Sequence, residues 1–110
     1  MSEKITEKEL VQKILAGEPY IIAEWRSGEA KLASGTDDRG KAFSRCNIVH
    51  RLELGEQALT LKERCVEGTQ PSSVVIPYKK GQRVAVHLSL TEADRGAFYV
   101  RAVVSAIDKQ

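Results

Sequence analysis

The chain has 110 residues, of which 42% are hydrophobic, 29% are charged and only 5% are aromatic. This length fits one domain, and the composition excludes a disordered chain. The net charge of +2 is too small to identify a protein that coats duplex DNA, so the distribution of charge is more informative than its sum. Residues 1–16 contain no apolar run typical of a signal peptide, and no segment is long enough to span a membrane. The sequence therefore predicts a cytoplasmic protein with reduced cysteines.

The predicted elements begin with a short α-helix at about residues 6–16. Thr6 and Glu9 have the spacing of a capping box, in which two side chains satisfy free donors of the first turn. Gly17 is typical of the position just after a helix. Three apolar residues recur at near-helical spacing: Leu10, Ile14 and Leu15. This apolar side either covers one end of the domain or docks on a partner protein.

Five β segments follow between residues 19 and 107, each rich in strand-forming residues and bounded by turn residues. We place them at about 20–33, 42–54, 58–66, 82–90 and 97–107. Gly28 interrupts the first strand and indicates a bulge or a bend. Gly55-Glu56 suits a two-residue hairpin turn between the second and third strands.

Five short antiparallel strands favour closure, because a closed sheet has no exposed edges. The sequence therefore predicts a mainly β fold, a five-stranded antiparallel OB-like barrel with a short N-terminal α-helix, as one domain over residues 1–110. A small β-sandwich or another type of barrel is the alternative fold.

The last third of the chain carries a resemblance to a known family. It reads Tyr78-Lys79-Lys80-Gly81, then Val84-Ala85-Val86, a polar loop and a valine-rich strand that ends near Ile107. This resembles the fourth and fifth strands of OB-fold single-stranded DNA-binding proteins. The similarity covers residues 78–107 and implies binding of single-stranded DNA. This chain begins with a helix, whereas the bacterial members of the family begin with a strand, so the resemblance is to a divergent or phage-like member. By analogy with the small phage proteins of this class, the resemblance also implies a homodimer.

Alternation of side chains along the second and third strands separates an apolar face from a basic one. The turn at Gly55-Glu56 sets Leu52 opposite Leu59 and Cys46 opposite Cys65 on the apolar face. The opposite face carries one aromatic ring and four cations: Phe43, Arg45, Arg51, Lys62 and Arg64. Cationic side chains contact phosphates and an exposed ring stacks on bases, while strands two and three form the ligand face of OB folds. These residues are the predicted nucleic-acid-binding site.

Further residues extend this predicted site from the loops and the last strand. They are basic or aromatic: Arg39, Lys41, Tyr78, Lys79, Lys80, Arg83 and Tyr99. Trp25 lies with apolar neighbours on the first strand and is predicted to belong to the core, as is Phe98 on the last strand.

Enzymatic and metal chemistry find little support in the sequence. The two cysteines and two histidines form neither a C-x-x-C nor an H-x-x-x-H pair. Asp37 and Asp38 precede Arg39-Gly40 and are typical of a turn rather than of an acid–base couple. We therefore expect a protein without catalytic residues, metal or cofactor. The leading function is sequence-tolerant binding of single-stranded nucleic acid, DNA rather than RNA; the alternative is a protein–protein assembly module built on the same barrel.

Overall fold

The computed structural model describes residues 3–92 and 98–108, and the side chains of residues 4–90 and 100–108. Its elements in chain order are β1 (Glu3–Thr6), α1 (Glu7–Leu15), β2 (Tyr20–Thr36), β3 (Ala42–Leu54), β4 (Gln57–Arg64), a single 3-10 turn (Pro71–Ser73), β5 (Arg83–Glu92) and β6 (Phe98–Asp108). Within these ranges, the helices lack the length and apolar content needed to cross a bilayer.

The strands form one mixed sheet in the order β1-β6-β5-β2-β3-β4. β1 pairs parallel with β6, and the other neighbours pair antiparallel. The mainly β fold with one short helix is confirmed, but the sheet has six strands instead of five and no ladder of the described residues closes it into a barrel. The sequence pattern missed β1 because this four-residue strand contributes one buried apolar side chain, Ile5, and its partner strand lies at the far end of the chain.

The start of α1 at Thr6 and its end before Gly17 agree with the prediction, but the Glu9 carboxylate binds the Thr6 hydroxyl instead of a free backbone donor. The Thr6 hydroxyl accepts a hydrogen bond from the Glu9 backbone N–H at 3.1 Å and donates to the Glu9 carboxylate at 3.0 Å. Gly17 follows the helix with a φ of 91°, a left-handed conformation that costs glycine little. Thr6 and Ala16 are the two caps, so the helix itself is one residue shorter at each end than predicted.

Helix α1 packs on the face of the sheet opposite the main core. Its buried residue, Leu10, joins Ile5 of β1 and Ala85 of β5 in a small apolar cluster. Because side chains alternate across a strand, the neighbours of Ala85, Val84 and Val86, point to the other face and belong to the main core. The helix therefore covers a sheet face rather than one end of the domain.

The β3–β4 hairpin has the predicted register. Leu52 pairs with Leu59 and Asn47 with Arg64, and the Cys65 N–H donates to the Cys46 carbonyl at 3.0 Å. This register makes the inner face of the hairpin mainly apolar, with His50 and Glu63 as its polar members, and places most of the charged residues on the opposite face, which also holds the buried Val49.

Strand β2 is longer than predicted and its irregularity lies at a different residue. The register with β3 shifts between Trp25 and Ser27, so the bulge is at Arg26 and not at Gly28. Gly28 has another role: a Cβ there would lie 3.0 Å from Trp25 Cζ2. Because Gly28 has no side chain, the indole ring has room to pack against the backbone. Trp25 is only 7% exposed, which confirms its predicted place in the core.

Candidate nucleic-acid interface

The β2–β3 hairpin ends in a loop that Asp37 organises. Its carboxylate accepts from the backbone N–H groups of Arg39 and Lys41 at 2.9 and 2.8 Å. Gly40 completes the turn with a φ of 77°. Asp37 therefore acts as a turn former, as its sequence context predicted, and it fixes the start of β3.

Phe43 and Arg45 lie side by side just after this loop. They are two residues apart on β3 and share a face, with the Arg45 guanidinium carbon 5.1 Å from the centroid of the Phe43 ring. This is a cation–π distance. Gly35 pairs with Phe43 across the hairpin, and a Cβ on Gly35 would lie 3.1 Å from the ring. The ring is therefore held close to the backbone of β2.

A cleft of about 740 Å³ opens where β4 ends and β3, still paired with β2, continues towards the loop. Its walls bring together one ring and four basic side chains: Lys41, Phe43, Arg45, Arg64 and Arg101. We refer to this site as the basic cleft. No ion pair between described residues engages any of these four cations. The nearby acids in its lining are Asp37, which is occupied in the loop, and Glu67.

Arg101 was not among the predicted site residues. It lies on β6, opposite Ser89 of β5, and reaches a cleft built mainly from β3 and the chain after β4. The sequence shows only that Arg101 alternates with apolar neighbours on an exposed face. Its proximity to Arg45 depends on how the sheet curves, which a local pattern does not encode.

Arg51 and Lys62 lie farther along the same sheet face and outside the cleft. Lys62 pairs with Val49, and Arg51 pairs with Thr60. Here the charge is partly balanced, because Glu29 of β2 lies 4.0 Å from Arg51 and 3.1 Å from Lys31. The predicted basic face thus has a cationic end at the cleft and a more neutral end beyond it.

The remaining predicted residues are dispersed. Lys79 and Lys80 are exposed at the turn before β5, and Arg83 is exposed at the first position of β5. The turn hydrogen-bonds to the backbone of Trp25 through Gly81 and Gln82. Tyr78 is half-buried and its hydroxyl donates to the Val104 carbonyl at 2.8 Å. The side chains of Tyr99 and Phe98 lie outside the described residues.

A buried chain of hydrogen bonds, absent from the sequence predictions, joins β2 to β6 through the hairpin. The Trp25 indole N–H donates to His50 Nδ1 at 3.1 Å, and His50 Nε2 lies 2.9 Å from a Glu63 oxygen. The same oxygen accepts from the Val104 backbone N–H at 3.3 Å. Since Nδ1 is the acceptor, Nε2 carries the proton and donates to Glu63. The bond from Val104 to Glu63 crosses the gap between β6 and β4, and we call this gap the seam.

A second cavity of about 580 Å³ lies at the seam, under the chain that connects β4 to β5. Its lining is mainly apolar and includes Glu63, Tyr78 and Val104. We refer to it as the apolar cavity. The one sequence signal for its position was the apolar segment Val74 to Pro77, which forms part of the wall.

Cys46 and Cys65 face each other without a disulfide. Burial, and then the neighbouring Cys46 thiol and Glu63, raise the pKa of the Cys65 thiol to about 11. No group of three or more potential metal ligands occurs among the residues that the structure describes.

Comparison with known proteins gives no match to a family model and no significant match among curated proteins or solved structures.

Proposed function

We propose that this protein binds single-stranded nucleic acid, DNA in preference to RNA, with little dependence on sequence and without catalysis. The observation that carries the proposal is the basic cleft, where four cations without an ion-pair partner in the described part of the chain line the same cleft as the Phe43 ring. Cations bind phosphates with release of counterions, and a base stacked on an aromatic ring contributes about 1–3 kcal/mol.

The strand connections support an OB-like arrangement of β2 to β6. The first of these five strands pairs with the second and the fourth, the second with the third, and the fourth with the fifth. Glu63 of the third reaches the backbone of Val104 on the fifth. A partly open barrel of this type binds ligands on strands two and three and at the loop between the first two strands. In this chain those elements are β3, β4 and residues 37–41, which border the cleft.

The geometry favours contact with one flexible strand rather than a duplex. Phe43 lies between Lys41 of the loop and Arg45 of β3, so a base stacked on the ring has a cation for the phosphate on each side. A duplex does not expose a base for such stacking, whereas a single strand does. The preference for DNA follows from the resemblance of residues 78–107 to single-stranded DNA-binding proteins, and the same resemblance implies a homodimer.

The test is a titration of labelled oligo-dT of about twenty nucleotides, longer than the ~4–16 nucleotides that one OB fold covers. Anisotropy is followed at low and at moderate salt. Phe43→Ala and Arg45→Ala should each weaken binding roughly five- to fiftyfold, because one removes the stacking surface and the other a phosphate contact.

Arg26→Ala is the matched control, because it removes the same charge from an arginine that is paired with Glu24 outside the cleft. Its affinity should stay near that of the unmodified protein. Absence of binding at low salt would rule out the proposal. An equal loss of affinity in Arg26→Ala would show that the basic cleft is not the binding site.

A protein–protein assembly module is the second candidate, favoured by one observation. The outer side of α1 exposes three apolar residues: Val11 at 54%, Ile14 at 42% and Leu15 at 81%. An interface on this side would respond weakly to salt, unlike a phosphate contact. Sedimentation of the protein at low and high salt, alone and with Leu15→Glu, separates the two: an association that is salt-resistant and is abolished by Leu15→Glu supports the module.

A further inference from the structure

The apolar cavity adjoins the basic cleft. Four residues line both: Arg64, Cys65, Val66 and Thr69. The two sites are therefore neighbours across one short stretch of chain. A nucleic-acid strand whose phosphates lie in the cleft has its next base within reach of the cavity.

The cavity has the size and lining of a ligand pocket. Its volume of about 580 Å³ falls within the roughly 300–1,000 Å³ of small-molecule sites, which are mostly apolar with a few placed polar groups. Its apolar wall consists chiefly of Ile48, Val66, Val74, Ile76, Pro77 and Val104. Such a wall suits the faces of a planar base and does not suit a phosphate.

Glu63 supplies the polar group. Its Oε1 accepts from His50 and from the Val104 N–H. Its Oε2 has no recorded partner among the described residues, and no side-chain nitrogen or oxygen of the described residues is both buried and unsatisfied, so Oε2 is open to solvent. Glu63 lines the cavity, so its carboxylate is an acceptor group placed there, and the two donors to Oε1 hold it in position.

We propose that the apolar cavity receives one unstacked base of the bound strand and that Glu63 makes it select bases with an amino group over thymine. This inference rests on the proposed nucleic-acid function and adds a specificity to it. A carboxylate only accepts hydrogen bonds. Cytosine, adenine and guanine each offer an exocyclic amino donor, whereas the single ring N–H of thymine is flanked by two carbonyl oxygens that a carboxylate repels.

The experiment compares oligo-dC with oligo-dT of equal length, about twenty nucleotides, at one salt concentration. The unmodified protein should bind oligo-dC roughly three- to tenfold more tightly, which is the net effect of one typical hydrogen bond. In Glu63→Gln the ratio should fall to about one, because the amide can donate to thymine as well as accept from cytosine.

Two further variants test whether the ratio of affinities for oligo-dC and oligo-dT depends on the apolar cavity. Glu53→Gln removes the same charge from β3 at a position that does not line the cavity, and it should keep the ratio of the unmodified protein. Val74→Phe fills the cavity without changing a polar group and should abolish the ratio. In Glu63→Gln the side chain still offers His50 an acceptor, but the charge is lost. If that variant is too unstable to measure, Val74→Phe alone tests the proposal.

The results separate this inference from the function on which it rests. Salt-dependent binding of both oligonucleotides with equal affinity overturns the proposal that the apolar cavity receives a base, and it leaves the proposed function intact. A preference for oligo-dC that survives Glu63→Gln and Val74→Phe also overturns it. Failure to bind either oligonucleotide overturns the proposed function, and this inference with it.

Discussion

His50 is the most completely enclosed polar residue of the described chain, with no exposed surface, and both of its ring nitrogens are used. It accepts from Trp25 on one side and donates to Glu63 on the other. A buried polar group that loses its partner costs about 1–3 kcal/mol. The ring therefore satisfies two other side chains in addition to filling space.

Replacement of His50 by leucine should reduce the free energy of unfolding by about 2–5 kcal/mol, because it leaves the Trp25 N–H without an acceptor and takes a donor from Glu63. Urea unfolding measures the change. His87→Leu is the control, since that side chain is 33% exposed and its contact with Glu18 is 3.7 Å long. We expect it to change stability by less than about 1 kcal/mol. Equal losses in the two variants would contradict a structural role for the His50 bonds.

Cys65 gives the protein a stability term that depends on pH. Its pKa is raised from 9.0 to about 11 by burial and by its neighbours Cys46 and Glu63. The folded state thus holds the proton more tightly than the unfolded state does. The contribution is complete below pH 9 and is lost as the pH rises towards about 11.

We therefore expect the free energy of unfolding of the unmodified protein to fall between pH 9 and pH 11 by more than that of Cys65→Ser, which lacks the titrating group. Under reducing conditions, iodoacetamide should also modify Cys65 more slowly at pH 8 in the native protein than in urea, because the thiolate is the reactive form. Identical pH profiles for the two proteins would exclude the thiol as the source.

At the scale of the element, α1 has two unlike sides. Leu10 is 4% exposed and contacts the sheet, whereas Leu15 is 81% exposed. Nine residues form too short a helix to be stable alone, so its docking depends on the cluster around Leu10.

Leu10→Ala should lower the free energy of unfolding by about 2–5 kcal/mol, while Leu15→Ala should change it by less than about 0.5 kcal/mol. Thermal or urea unfolding distinguishes the two values. A large loss in Leu15→Ala would mean that the outer side of α1 is covered in solution, which is the expectation of the assembly-module hypothesis.

The molecule as a whole is elongated, with extents of 47 × 33 × 27 Å. The β2–β3 hairpin contributes to this shape, because residues 31–36 are all exposed while their strand continues to the loop. The loop end of this hairpin meets the chain after β4 and Arg101 of β6 at the basic cleft. The proposed interface thus requires the curvature of the sheet as well as the pattern of any one strand.

The salt dependence of binding should report this convergence. Four phosphate contacts on a single strand give a slope of log affinity against log salt of about −2.8, and each cation removed should reduce its magnitude by about 0.7. Arg101→Ala should do so as fully as Arg64→Ala, although the two residues are on different strands. A double change of Lys79 and Lys80 to alanine, at a turn outside the cleft, should leave the slope unaltered. If only the Lys79 and Lys80 variant changes the slope, the interface lies at that turn.

Several features of this protein are determined by short stretches of sequence. The capping of α1 by Thr6 and Glu9 needs four consecutive residues, and the register of β3 with β4 follows from a tight turn at Gly55. Alternation then assigns the faces of both strands, which is why the basic face could be predicted. These features depend on neighbours in the chain, so a local pattern records them.

Other features were decided only by the tertiary structure. The pairing of β1 with β6, the link from Trp25 to His50 and the approach of Arg101 to the cleft join residues that are distant in sequence. None has a local pattern, because each depends on where the curved sheet brings separate segments. Composition and spacing identified the chemical groups of the candidate interface, and the packing of the sheet decided which of them meet.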